Sequence, residues 1–79
     1  MMNKKPLSLK KGEEIVLEHE GREVTAFVLM ASENGKSLAV AFDAMLGGYV
    51  GMMPILFNDE AGEYQDLAIG KPVLIKKIQ

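Results

Sequence analysis

The sequence predicts an all-β fold, a small barrel of five to six short antiparallel strands. Glycine or a turn dipeptide recurs at intervals of about 8–14 residues, a spacing typical of meanders, sandwiches and barrels. The segments between these turns have strand chemistry, and none shows a helical apolar period. An SH3-like barrel is preferred because closure removes strand edges. An OB-like barrel, which usually has a helix between its middle strands, and an open meander are the alternatives.

The first two strands are predicted on either side of Glu20-Gly21. In residues 13–20, Ile15, Leu17 and His19 share one face and acidic residues dominate the other, which indicates a strand with one face in water. Residues 22–31 are apolar on both faces. This pattern predicts a strand that is central or buried on both sides.

A hairpin is predicted at Asn34-Gly35, a dipeptide that suits the two positive-φ positions of a type I′ turn. The strand that follows, residues 37–43, has its larger apolar side chains on one face: Leu38, Val40 and Phe42. Its opposite face carries Ala39 and Ala41, which are small enough for another backbone or side chain to lie close.

Residues 44–57 contain no charged side chain, although 25% of the whole chain is charged. Residues 44–46 predict either one helical turn or a wide loop, and residues 49–58 predict a fourth strand. Pro54 cannot donate a hydrogen bond to a neighbouring strand. It therefore predicts that this strand is bent, bulged or at a sheet edge.

The rest of the chain predicts a short strand or 3₁₀ turn at residues 64–68 and a last strand at residues 73–78. Together, residues 1–79 are expected to form a single small barrel domain, with residues 1–8 as a flexible N-terminal arm. A chain of this size buries only about 60–65% of its unfolded surface, so an oligomer or a partner is a reasonable second source of burial. The chain has no cysteine and no long apolar run, and the expected location is cytoplasmic, without membrane contact.

The residue types do not favour catalysis or metal binding. His19 is the only histidine, and its place at the end of a strand predicts a rim residue rather than a base. The acidic residues near Gly62 do not have the spacing of a calcium loop, and the methionines lack a neighbouring histidine or cysteine. The sequence therefore predicts a protein that is not an enzyme and that has no cofactor and no metal.

The uncharged stretch is the predicted contact surface for a protein partner or for self-association. Exposed apolar patches of appreciable size usually mark partner sites. The candidate interface residues are Leu46, Tyr49, Val50, Met52, Met53 and Ile55.

Binding of RNA or single-stranded DNA is the less favoured alternative. Seven of the nine basic residues lie in the first eleven or the last nine positions, although the net charge is −2. Phosphate contacts dominate the affinity for nucleic acid, and the acidic middle of the chain opposes them. The candidate contact residues are Lys4, Lys5, Lys10, Lys11, Lys76 and Lys77.

Overall fold

The computed structural model describes residues 4–78, which form a closed barrel of six antiparallel strands in sequence order. The strands are β1 (Glu14–His19), β2 (Arg22–Ala31), β3 (Ser37–Leu46), β4 (Tyr49–Asn58), β5 (Glu63–Asp66) and β6 (Pro72–Lys77). β1 and β6 pair along five residue positions and close the barrel. The prediction of a small antiparallel barrel is confirmed and the open meander is excluded. The SH3-like assignment stays a prediction.

The core is the inward face of each strand. The alternation predicted for β1 and β3 is confirmed, because their inward residues are mostly buried and their outward residues are partly or largely exposed. Fourteen apolar side chains form the core among the described residues: Leu9, Ile15, Leu17, Ala26, Val28, Leu38, Val40, Phe42, Leu46, Met53, Ile55, Tyr64, Val73 and Ile75.

The second face of β2 lies on the outside of the barrel, and the prediction that it is buried is wrong. Ala26 and Val28 are buried, whereas Phe27 and Leu29 are 49% and 43% exposed. In a barrel each strand turns only one face to the interior, and no second layer of the described chain covers the other. The apolar outward face of β2 is therefore left uncovered.

The turns lie at the predicted positions, but not every turn is of the predicted type. Asn34 does not have positive φ, so the prediction of a type I′ turn there is wrong; Ser32 O accepts a hydrogen bond from Gly35 N instead, inside a longer loop. Both central residues do have positive φ in the two-residue loops Glu20-Gly21 and Gly47-Gly48. This is the combination that a type I′ hairpin needs.

β3 is longer than predicted, because residues 44–46 are strand rather than a helical turn or a wide loop. The pairing of β3 with β4 shifts between Ala41 and Met45, which accommodates the extra residues as a bulge. Pro54 pairs with Ala39 on β3, and its carbonyl accepts a hydrogen bond from Leu67 N just beyond the end of β5. The proline nitrogen, which cannot donate, therefore lies where the β4–β5 ladder ends.

Part of the predicted N-terminal arm contacts the barrel. Residues 1–3 lie outside the described part of the chain, but Leu7 packs against the core and Leu9 belongs to it. Leu7 N donates to the Tyr64 hydroxyl at 2.7 Å, and that hydroxyl donates to Gly35 O at 2.7 Å. One buried side chain thus joins the N-terminal segment to the β2–β3 loop.

Tyr64→Phe is expected to lower the free energy of unfolding by about 1–3 kcal/mol, because Leu7 N and Gly35 O each lose a partner. The aromatic ring and its edge contact with Phe57 remain in this variant. Urea unfolding measures the loss, and hydrogen exchange at the Leu7 amide locates it. Unchanged protection of that amide would show that the hydroxyl does not hold the N-terminal segment.

Candidate functional site

An uncharged patch covers the middle of the outer face of three neighbouring strands, β2, β3 and β4. We call it the outer patch and define it by six residues: Phe27, Met30, Ala39, Ala41, Met52 and Pro54. Phe27, Met30 and Met52 are among the exposed large hydrophobic residues of the barrel.

The strand register places the outer patch in two rows. Phe27, Ala41 and Met52 lie opposite one another across the three strands. Met30, Ala39 and Pro54 form the next row, beside the bulge at Leu29. Side chains directly opposite on adjacent strands have Cβ atoms about 5 Å apart, so each row is a continuous apolar contact.

The outer patch has an uneven surface. The alanines of β3 are short, and the flanking strands carry the larger side chains of Phe27, Met30 and Met52. A depression of about 420 Å³ opens beside Phe27 and Ala41, and the exposed side chain of Asp43 is among the residues that line it. This shape provides a trough along β3 and a ridge on each side of it.

The predicted interface residues divide between the two faces of the barrel. Val50 and Met52 are 73% and 43% exposed. Leu46, Met53 and Ile55 are buried in the core, so their side chains cannot reach a partner while the barrel is closed. Tyr49 is partly buried and its hydroxyl is hydrogen-bonded inside the molecule. The structure therefore brings together only two of the six on the outside.

The basic residues predicted to contact nucleic acid fall into two groups, of which the pair on β6 is ion-paired. Lys76 Nζ lies 2.6 Å from a Glu23 oxygen, and Lys77 Nζ lies 3.5 Å from Glu13. The hydrogen bond that Lys76 donates to Glu23, together with the negative charge of Glu23, raises the pKa of Lys76. The remaining four, Lys4, Lys5, Lys10 and Lys11, are exposed and precede β1. The lysines of β6 thus belong to a mixed-charge face, which does not favour phosphate binding.

A buried polar network joins His19, Tyr49 and Asp66 at one end of the barrel. His19 Nε2 lies 2.8 Å from Asp66 Oδ2, and the Tyr49 hydroxyl donates to Asp66 Oδ1 at 2.7 Å. The side chains of His19 and Asp66 are fully buried. The carboxylate also accepts hydrogen bonds from the backbone N–H groups of the β5–β6 turn, at residues 69, 70 and 71.

These contacts fix the charge of the network. Burial alone would raise the pKa of Asp66, but the hydrogen bonds from His19, Tyr49 and the turn amides outweigh it and hold that pKa far below its usual range. Burial, with the hydrogen bond to Asp66, raises the pKa of Tyr49. Asp66 is therefore a carboxylate at neutral pH, and it ties β1, β4 and the β5–β6 turn together.

The network has a structural role, because neither His19 nor Asp66 can be reached from solvent. The expectation that His19 is a rim residue is wrong. His19 lies on the same face of β1 as the core residues Ile15 and Leu17, and this alternation was the sequence signal that its side chain points inward. Asp66 shares an inward phase with Tyr64 in the same way. Nothing in the local sequence indicated that the two inward polar residues would meet, since they are 47 positions apart.

The His19 ring leaves one atom without a partner in the described part of the chain. Its Nδ1 is buried and makes no hydrogen bond, and it faces the backbone of Gly47. A Cβ added at Gly47 would overlap the ring, and φ there is +57°. Glycine at position 47 therefore has two roles: it adopts the positive φ of the hairpin turn, and its lack of a side chain leaves room for the His19 ring.

Gly47→Ala is expected to destabilise the barrel by about 1–3 kcal/mol more than Gly48→Ala, because overpacking against a buried ring adds to the strain of positive φ. Gly48 is a matched control, since it also has positive φ but an added Cβ would meet nothing within 4 Å. Thermal unfolding of the two variants gives the difference. Equal destabilisation would mean that the His19 ring moves aside without cost.

The described chain holds no group of three or more side chains suited to a metal ion. Residues 4–78 also contain no helix of the length and apolar character needed to cross a membrane. Comparison with protein-family models, curated proteins and solved structures finds no match to this chain.

Proposed function

We propose that this barrel is a non-enzymatic binding and assembly module whose contact surface is the outer patch. One observation carries the proposal: an apolar face without charge extends across three adjacent strands in register. Protein interfaces are depleted in charged residues at their centre and enriched in aromatic residues and methionine. The partner surface is a protein face that is apolar at its centre, and the proposed location is cytoplasmic.

The size of the outer patch supports a protein contact. Phe27, Met30 and Met52 are each about half exposed, and at roughly 200 Å² for a large side chain they present about 300 Å². An exposed apolar patch of about this size is often a functional surface.

Selection of random peptides displayed on phage tests this proposal without knowledge of a partner. Peptides enriched on the immobilised wild-type barrel are expected to be rich in aromatic and aliphatic residues. Their binding is expected to fall at least tenfold on Met52→Asp, because a charge at the centre of an apolar contact must be desolvated.

Ile78→Asp is the matched control. Ile78 is 51% exposed and follows β6, a strand that is not adjacent to β2, β3 or β4. The selected peptides should bind this variant as they bind the wild type. Peptides that bind both variants equally, or a failure to enrich any peptide, would contradict the proposal. Circular dichroism of both variants shows that the barrel is retained.

A further inference from the structure

We infer that the protein segment bound by the outer patch carries an arginine, whose side chain lies in the depression beside Phe27 with its guanidinium group at Asp43. This inference rests on the proposed function and names the chemistry of the partner. Three observations support it: the shape of the depression, the charge along its border and the aromatic ring that lines it.

The depression has the size and the lining for one long side chain. Its volume of about 420 Å³ lies within the range of about 300–1,000 Å³ that is typical of ligand sites. Its lining residues are Thr25, Phe27, Ala41, Phe42 and Asp43. Such a mainly apolar lining suits the methylene groups of a long side chain, and Thr25 and Asp43 supply polar groups for its charged end.

The border of the depression is acidic. Asp43 lines it, and Glu14 lies directly opposite Phe27 in the register of β1 with β2. Both acidic residues are exposed, and within residues 4–78 neither carboxylate forms an ion pair or accepts a hydrogen bond. Arg22 donates to Met45 O rather than to Asp43. Two unpaired negative charges beside an apolar depression favour a partner with a positive group and disfavour an acidic one.

The Phe27 ring favours arginine over lysine as the positive group. It is 49% exposed, so part of the ring is open to a partner. A guanidinium plane stacks on an aromatic ring and can also donate two parallel hydrogen bonds to a carboxylate, whereas a lysine ammonium has no such plane. Arginine is also enriched at protein interfaces, while lysine is depleted there. One arginine thus contacts Phe27 and Asp43 together.

The second row of the outer patch binds apolar side chains of the same segment. Met30, Ala39 and Pro54 form this row, and Ala39 lies two residues from Ala41 along β3. Two residues of a strand span about 7 Å. An extended segment with an arginine and an apolar residue two or three positions apart therefore reaches both rows.

Three phage libraries of peptides test the inference, with arginine, lysine or glutamate fixed at the central position and the other positions random. The immobilised wild-type barrel is expected to enrich clones at least about tenfold more from the arginine library than from the glutamate library, because like charges side by side are costly. Equal enrichment from these two overturns the inference. Equal enrichment from the arginine and lysine libraries overturns the assignment of arginine.

Variants of Asp43 locate the arginine. Binding of a peptide selected from the arginine library is expected to fall at least about fivefold on Asp43→Asn, because the guanidinium group loses its charged acceptor. Asp59→Asn is the matched control, since Asp59 is an exposed aspartate between β4 and β5, and it should leave binding unchanged. Asp43→Lys should reverse the preference, so that a peptide with glutamate in place of its arginine binds more tightly than the parent. Binding that is the same on Asp43→Asn as on the wild type overturns the inference.

The two proposals can fail separately. Met52→Asn makes the outer patch polar without a charge that would itself attract arginine. If selected peptides lose binding on Met52→Asn but not on Asp43→Asn, the outer patch is a contact surface whose partner needs no arginine, and only this inference is wrong. If no library yields a peptide that depends on Met52, the proposed function is wrong and the inference is wrong with it.

Discussion

Asp66→Ala is expected to lower the free energy of unfolding by about 3–5 kcal/mol, because removing one partner of a buried ionic network leaves the others uncompensated. His19 Nε2, the Tyr49 hydroxyl and three turn amides all lose their acceptor. Small domains have only about 5–15 kcal/mol in total, so this loss is a large share of the stability. Urea unfolding at pH 7 measures it.

Asp59→Ala is the control for this prediction. Asp59 pairs with Lys36 at 3.0 Å, but its side chain is 67% exposed. Its loss should cost no more than about 1 kcal/mol, as for exposed ion pairs in general. Equal costs for the two aspartates would mean that the buried network does not hold the end of the barrel.

The same carboxylate predicts how stability depends on pH. The pKa of Asp66 is depressed in the folded state, so its contribution is complete above its unfolded pKa of about 3.9 and is lost as the pH falls toward the folded value. The wild type should therefore lose stability steeply below about pH 4. Asp66→Asn should be less stable at neutral pH and should lose less on acidification. Parallel pH profiles for the two proteins would contradict the role of this group.

Met53→Ala is expected to cost about 2–5 kcal/mol, the range for truncating a buried methionine. Met53 is fully buried, whereas its neighbour Met52 points outward and is 43% exposed. Met52→Ala should therefore change the stability of the monomer by less than about 0.5 kcal/mol. Urea unfolding at low protein concentration gives both values without a contribution from association. Similar costs at the two positions would mean that the alternation does not separate core from surface in β4.

Local patterns were sufficient to predict the strands and their inward faces. The alternation of Leu38 and Val40 with small residues identified the core face of β3, and the turn dipeptides placed the strand ends to within a few residues. The apolar pattern of the sequence could not show whether another part of the structure covers the second apolar face of β2. That depends on the presence of another layer, which is a property of the whole fold rather than of residues 22–31.

The buried network was beyond local prediction for a different reason. His19 and Asp66 lie on β1 and β5, which are not adjacent in the sheet. Their meeting depends on the inward tilt of side chains at one end of a closed barrel. The turn at Asn34-Gly35 shows a third limit. The side chains of Asn34 and Ser32 accept hydrogen bonds from the backbone N–H groups of Lys36 and Ser37, and these bonds favour a longer loop over the two-residue turn.

Titration of the ¹⁵N-labelled barrel with a selected peptide, followed by NMR, tests most directly the central claim, that the barrel uses its uncharged outer face as a contact surface. Amide shifts that change as the peptide is added are expected on β2, β3 and β4, centred on Phe27, Ala41 and Met52. The amides of β1 and β6 should stay unchanged. Changes confined to the mixed-charge face of β1 and β6 would contradict the claim.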